Sequence, residues 1–182
     1  MTVRDALKDF YRESNIPEDG GMNDHLFIFK VFGLTLKLPN PEIRRKNIYI
    51  HDIQHVVHQC DTSWKGESYI AGWEIGTNLW RHFPLVILPI WAMGYGVWIH
   101  PKEVLRGYKD GLKQTGIIDL ELSKEELLEM KIDELKQLLS NKVSPTWSPS
   151  KQMEFLAWIL LSQFVLFTPI IMVLCVITII FS

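Results

Sequence analysis

His51, Asp52 and His55 stand together in the stretch His51-Asp52-Ile53-Gln54-His55, and Glu67 follows after eleven intervening residues. On a helix, positions i and i+4 project from one face, one turn apart. Two imidazoles so placed can share one metal ion, with neutral ring nitrogens at about 2.0–2.1 Å from it. Glu67, carried by a following helix, can complete the set. Asp52 points about 100° away from His51, so it either ligates from the side or orients a histidine from behind. Two histidines with one or two carboxylates leave positions open for water or substrate, a pattern of catalytic more than structural sites. In that chemistry Asp52 and Glu67 are the candidate catalytic residues, and Asp52 or Glu74 can assist proton transfer. The bland alternative is that such a histidine pair is merely exposed, or hydrogen-bonded in a core.

Several neighbours carry the same two readings. His58 lies seven residues after His51 and shares its helix face, as a fourth nitrogen or as a supporting or solvated residue. Glu74 lies seven residues after Glu67 and can accept a hydrogen bond behind a ligand. Cys60 reads as a loop residue rather than a ligand. Arg44-Arg45-Lys46 precedes the histidines; Arg44 and Arg45 are candidates for lipid phosphate or a substrate carboxylate, against the reading of a solvated charge run.

The elements that must position these residues read as helices. Pro39-Asn40-Pro41 is a break that starts a helix from Glu42 to about Gln59. After a short loop, Gly66–His82 reads as the next helix. Thr2–Arg12 is a first helix with Thr2 as cap and Ala6, Leu7, Phe10 and Tyr11 on one face. Pro101–Lys113 is basic and amphipathic. Leu122–Leu139 holds two short helices, the first with a capping-box pattern at Ser123 and Glu126. His25–Leu38 is mixed in period, helix or strand pair.

The chain has 182 residues, enough for one domain with an appended element. A net charge of -2 gives no support for nucleic-acid binding. Two cysteines exclude a disulfide framework and a cysteine-rich zinc site. From Phe155 to Phe181 no residue is charged. As a helix this run is roughly 40 Å long, more than a hydrocarbon core, and it is expected to be a C-terminal anchor. Phe83–Ile99 is also uncharged but short. Both basic stretches, residues 1–82 and 101–151, stay on the cytoplasmic side if it does not span, so it is expected to be a buried or membrane-dipping helix, with a second true span as the alternative. The expectation is an all-α protein, a single helical domain with a C-terminal transmembrane helix: residues 1–142, a linker 143–152, and an anchor 153–182. A bacterial inner membrane with a cytoplasmic N-terminal domain is the matching location.

The segment HDIQHVVHQCDTSWKGE resembles the motif of the coenzyme Q biosynthesis protein four family, HDxxH followed by eleven residues and Glu. LPNPEIRRKNIYIHDIQHVV before it, GESYIAGWEIG after it, PKEVLRGYKDGLKQTGI and LSKEELLEMKIDELKQLL are similar to short bacterial members, so the likeness covers roughly residues 36–140. The resemblance implies a helical fold and a divalent metal held by His51, Asp52, His55 and Glu67. Zinc is the usual assignment; iron, manganese and magnesium stay open. It also implies a role in ubiquinone biosynthesis at ring carbon C1, where a carboxyl is lost and a hydroxyl gained. The partners implied are a prenylated quinone precursor or other lipid, the membrane, other quinone-biosynthesis proteins, and a second copy in a homodimer. Trp91 and Tyr95, with Gly94 and Gly96, are candidates to line a groove for such a lipid, or ordinary helix packing. Two rivals stand beside this: a metal hydrolase with Asp52 in the place of the usual glutamate base, and a lipid-binding scaffold in which the metal only fixes two helices.

Overall fold

The computed structural model describes residues 1–31, 33–140 and 147–181. Helix α1 (Val3–Glu13) opens with a capping box: Thr2 Oγ1 accepts from the Asp5 amide at 3.2 Å, and Asp5 accepts from the Thr2 amide. Val3, Ala6, Leu7 and Tyr11 form its buried face. The strand pair is the outcome for the segment of mixed period. Strands β1 (Leu26–Val31) and β2 (Leu34–Pro39) pair antiparallel, from Leu26 opposite Pro39 to Val31 opposite Leu34. Leu34, Leu36 and Leu38 alternate with polar Thr35 and Lys37, which is strand rather than helix period. Gly33 takes the positive φ of +75° that the tight connection requires.

Helix α2 (Glu42–His58) starts after Pro41 and stops where Gln59 turns left-handed, at φ 53°. Helix α3 (Trp64–Gly76) runs next, followed by a 3₁₀ turn at Leu79–Arg81. Helices α4 (Ile87–Ile99) and α5 (Pro101–Gly111) meet at His100-Pro101. After a 3₁₀ turn at Ile117–Leu120 come α6 (Lys124–Glu129), capped by Ser123 and Glu126 as its sequence predicts, and α7 (Ile132–Leu139). Helix α8 spans Pro149–Phe181. The expected linker at 143–152 falls partly on residues 141–146, outside the described residues, and α8 begins within the rest.

Two apolar cores flank α3. One gathers Val3, Leu7, Ile53, Ile70, Trp73 and Leu135 from α1, α2, α3 and α7; the other gathers Ala71, Ile75, Met93, Val104 and Tyr108 from α3, α4 and α5. Helix α3 is therefore buried on every side from Ser68 to Gly76. It lies so close to α5 that a methyl group on Gly72 would meet the Val104 carbonyl, and one on Gly107 the Tyr69 carbonyl.

The fold departs from an all-α protein with a transmembrane helix in two respects. A two-stranded sheet is present. Among the described residues no helix is long and apolar enough to cross a membrane. That overturns the C-terminal anchor and, with it, the placement at an inner membrane. Absence of charge is a poorer criterion than apolarity, because polar groups occur within α8 and part of its length is spent on α4. Ser162 is fully buried, Gln163 Nε2 donates to the Gly94 carbonyl at 3.0 Å, and Trp98 Nε1 donates to Gln163 Oε1 at 2.7 Å. Thr168 and Pro169 interrupt the run further on.

Candidate metal centre

Helix α2 brings His51 and His55 to one face, and the chain then reverses within a few residues to present Glu67 from the first turn of α3. The reversal is tightly made. The Cys60 amide donates to the His55 carbonyl at 2.9 Å, and Ser63 donates to Asp61 Oδ1 from both its amide and its hydroxyl. Gly66 lies against the Asp61 backbone, where a side chain would not fit.

The result is a compact triangle. His51 Nε2 and His55 Nε2 are 3.2 Å apart. Glu67 Oε2 is 3.4 Å from the first and Oε1 is 3.3 Å from the second. An ion with bonds of about 2.0–2.1 Å at the centre of a tetrahedron holds its ligand atoms about 3.3–3.4 Å apart. The two Nε2 atoms stand close to that spacing, and the Glu67 carboxylate faces them with one oxygen toward each. Among the described residues these three form the cluster suited to a metal ion.

The other ring nitrogens fix the tautomers. His51 Nδ1 lies 3.3 Å from Glu74 Oε1, and His55 Nδ1 lies 3.3 Å from the Cys60 carbonyl oxygen. A carboxylate and a carbonyl can only accept, so both Nδ1 atoms carry hydrogen when the rings are neutral. Both Nε2 lone pairs are then left to face the triangle, the arrangement that orients metal-bound histidines. Phe10 stacks on His55, with ring centroids 5.6 Å apart.

Electrostatics favour a cation here. Burial works against a charge on His51, but hydrogen bonds to Glu67 and Glu74 outweigh it and hold its pKa well above the usual histidine value. Burial also works against the Glu67 carboxylate, yet His55 and His51 keep it well below the ordinary range. Without an ion, a proton on His51 satisfies the site, and a divalent cation must displace it. Affinity should therefore rise with pH, by about tenfold per pH unit below the His51 pKa if one proton leaves per ion. Calorimetric zinc titrations at about pH 6 and about pH 7 check this; equal affinities would refute it. Replacing Glu74 by Gln keeps an acceptor for His51 but removes its charge, and is expected to weaken the ion by about tenfold or more, measured by competition with a chelator.

The remaining sequence candidates lie elsewhere. Asp52 is buried outside the triangle, and its Oδ2 accepts from the Tyr11 hydroxyl at 2.8 Å. Burial raises the pKa of both groups. Its observed part is to tie α2 to α1. His58 packs on Trp73 and Tyr69, with its Nδ1 3.3 Å from the Tyr69 hydroxyl. Burial first, then nearby positive charge, lowers its pKa to about 4, so it is a neutral packed ring. Glu74 is 4% exposed and stands behind His51 as an acceptor. Arg44 donates to Asn40 Oδ1 at 3.0 Å and covers the Phe27 ring, while the buried Nε of Arg45 has no partner among the described residues. Tyr95 on α4 meets Trp64 edge-on at 4.5 Å, and Trp91 is half-buried one turn before it.

Three contributors escape a reading of the sequence: the Cys60 carbonyl, Phe10 and Tyr11. The first is a backbone atom, which every residue has, and only the helix stop at Gln59 hints at its place. The other two read as apolar-face residues of α1, and nothing in their spacing marks a polar partner forty residues away. Comparison with known proteins finds no matching family model, no matching curated protein and no matching solved structure.

Proposed function

We propose that this chain is a divalent-metal protein that acts on the polar ring of a prenylated quinone precursor, in a step of the C1 decarboxylation and hydroxylation type. The observation that carries the metal half is the triangle of His51, His55 and Glu67, with both Nδ1 atoms committed to acceptors. The substrate half rests on the likeness of the HDxxH-x11-E segment to the quinone-biosynthesis family.

The site's residues suit such work. Three protein ligands leave one tetrahedral corner for a substrate oxygen or water, which favours an open centre over a metal that only pins two helices. His51 and Glu67 are each about a third exposed, so that corner is reachable from outside, while His55 is enclosed. A bound divalent cation would supply charge stabilisation at a carboxylate or ring oxygen. Glu74 would hold His51 in the tautomer that presents Nε2.

The test joins stoichiometry to output. Native mass spectrometry should show one divalent ion per chain, lost in His51→Ala. Expression in cells blocked at the ring C1 step should restore quinone with the native chain and not with the variant. An ion-free native chain after supply of zinc, iron and manganese would refute the metal centre. An ion-loaded chain that restores no quinone would refute the substrate assignment alone.

A further inference from the structure

The arginines of this chain differ in pairing: among the described residues the half-buried Arg44 and Arg45 and the exposed Arg81 form no ion pair. The exposed Arg12 and Arg106 each hold a carboxylate, at 2.8 Å and 2.7 Å. Arg44 is less exposed, yet among the described residues it forms no ion pair. Its neighbours are neutral: Asn40 Oδ1 at 3.0 Å and the Phe27 ring, whose centroid is 4.4 Å from the guanidinium carbon. Sheltered charges are normally paired, because the loss of water costs more than a neutral partner returns. A sheltered guanidinium without a carboxylate is a group prepared for an anion that comes from outside.

Its position on α2 says which anion. Seven residues separate Arg44 from His51, so the two lie about 20° apart around the helix and about 10 Å apart along it. Projected down the axis, Arg44 falls between His51 and His55. Burial lowers the Arg44 pKa while the Asp52 and Glu67 carboxylates oppose this, which puts the guanidinium within electrostatic reach of the site. Asn40 is itself fixed by donating to the Gly21 and Asp24 carbonyls at 3.2 Å and 2.9 Å. The support for Arg44 is therefore preorganised, with Phe27 of β1 on one side and Asn40 on the other. One nitrogen is engaged by Asn40, and the planar fork suits a pair of oxyanion oxygens.

We propose that Arg44 is the anion-anchoring residue of this site, receiving a carboxylate or phosphate carried by the same ligand whose ring reaches the corner left by His51, His55 and Glu67. The proposal deepens the metal-centre reading and rests on it for the identity of the ring-binding end. The ligand class is thus a ring compound that carries an oxyanionic substituent. Arg44 acts as a specificity-determining contact and takes no part in bond changes.

The probes are benzoate and inorganic phosphate, titrated by calorimetry into the zinc-loaded chain and into the chain stripped with a chelator. Arg44→Gln should weaken the better-bound probe by about tenfold or more, the usual loss for a charge-assisted fork. Arg44→Lys should recover only part of it, because an ammonium is a point charge. Lys46→Gln removes the same charge from the same helix at an exposed position and should change little. Zinc content and the far-ultraviolet spectrum should be unchanged in all three. Equal weakening by Arg44→Gln and Lys46→Gln, or no binding of either probe to the native chain, would overturn the proposal. If Arg44→Gln fails to fold, native affinity retained in Arg44→Lys overturns it and partial loss upholds it. Preference between the probes tells a carboxylate ligand from a phosphate ligand. A chain that binds no zinc but loses the probe on Arg44→Gln keeps the anion site and refutes only the metal centre.

Discussion

Glu67→Ala is expected to lower zinc affinity by about 100- to 1,000-fold. Structural zinc sites with four ligands bind with about 10–16 kcal/mol, so one ligand is worth roughly 2.5–4 kcal/mol. Glu67 is the only anion in the triangle, and it faces both imidazoles at 3.3 and 3.4 Å. Its loss removes both a ligand and the charge that offsets the cation. The same change should be visible in stability. A ligand present at a thousand times its Kd stabilises the folded state by about 4 kcal/mol, so zinc should raise the melting temperature of the native chain by several degrees. Glu67→Ala should lose most of that rise at the same zinc concentration. Competition with a chelator and thermal melts check the two halves; a variant with native zinc affinity would remove Glu67 from the site.

Gly107→Ala is expected to destabilise the chain by about 3 kcal/mol, and its sign is diagnostic. Within an isolated helix, alanine is better than glycine by about 1 kcal/mol. If α5 stood clear of α3, the substitution would stabilise. Here the added methyl group would overlap the Tyr69 carbonyl and crowd the Trp73 amide, both backbone atoms of a buried helix. No flexible side chain can move aside, so the helices must part. Parting them shifts α3, and with it Glu67 and Glu74, so zinc affinity should fall as well. A urea or guanidinium unfolding curve reads the stability, and a midpoint shifted upward would contradict the packing.

The histidine pair and Glu67 were legible because their spacing maps onto local geometry. An i,i+4 pair needs only a helix, and eleven residues accommodate the helix end, a short reversal and the first turn of α3. Asp52 was less legible. A residue 100° round a helix faces whatever packs there, and only the fold shows that this is Tyr11. The segment from His25 to Leu38 holds two apolar periods at once, and the pairing of β1 with β2 decides between them. In α8 the charge pattern was legible and its meaning was not, since Ser162 and Gln163 are spent on α4, as no count of charged residues reveals. Arg44 was visible as part of a basic run, but its lack of a carboxylate depends on neighbours brought from β1 and the preceding loop.

Helix α3 is shared by both cores and buried along nearly its whole length. Segments of this kind exchange their amide hydrogens only when the entire chain opens, whereas edge elements open locally. The rear wall of the proposed metal centre, Glu74, is therefore expected in the slowest-exchanging part of the molecule, while the outward-facing edge at His51 and Glu67 does not require that opening. An ion held at the proposed centre would then enter and leave by the outer edge while the backbone behind it keeps its protons, and metal exchange is expected to be faster than protein unfolding.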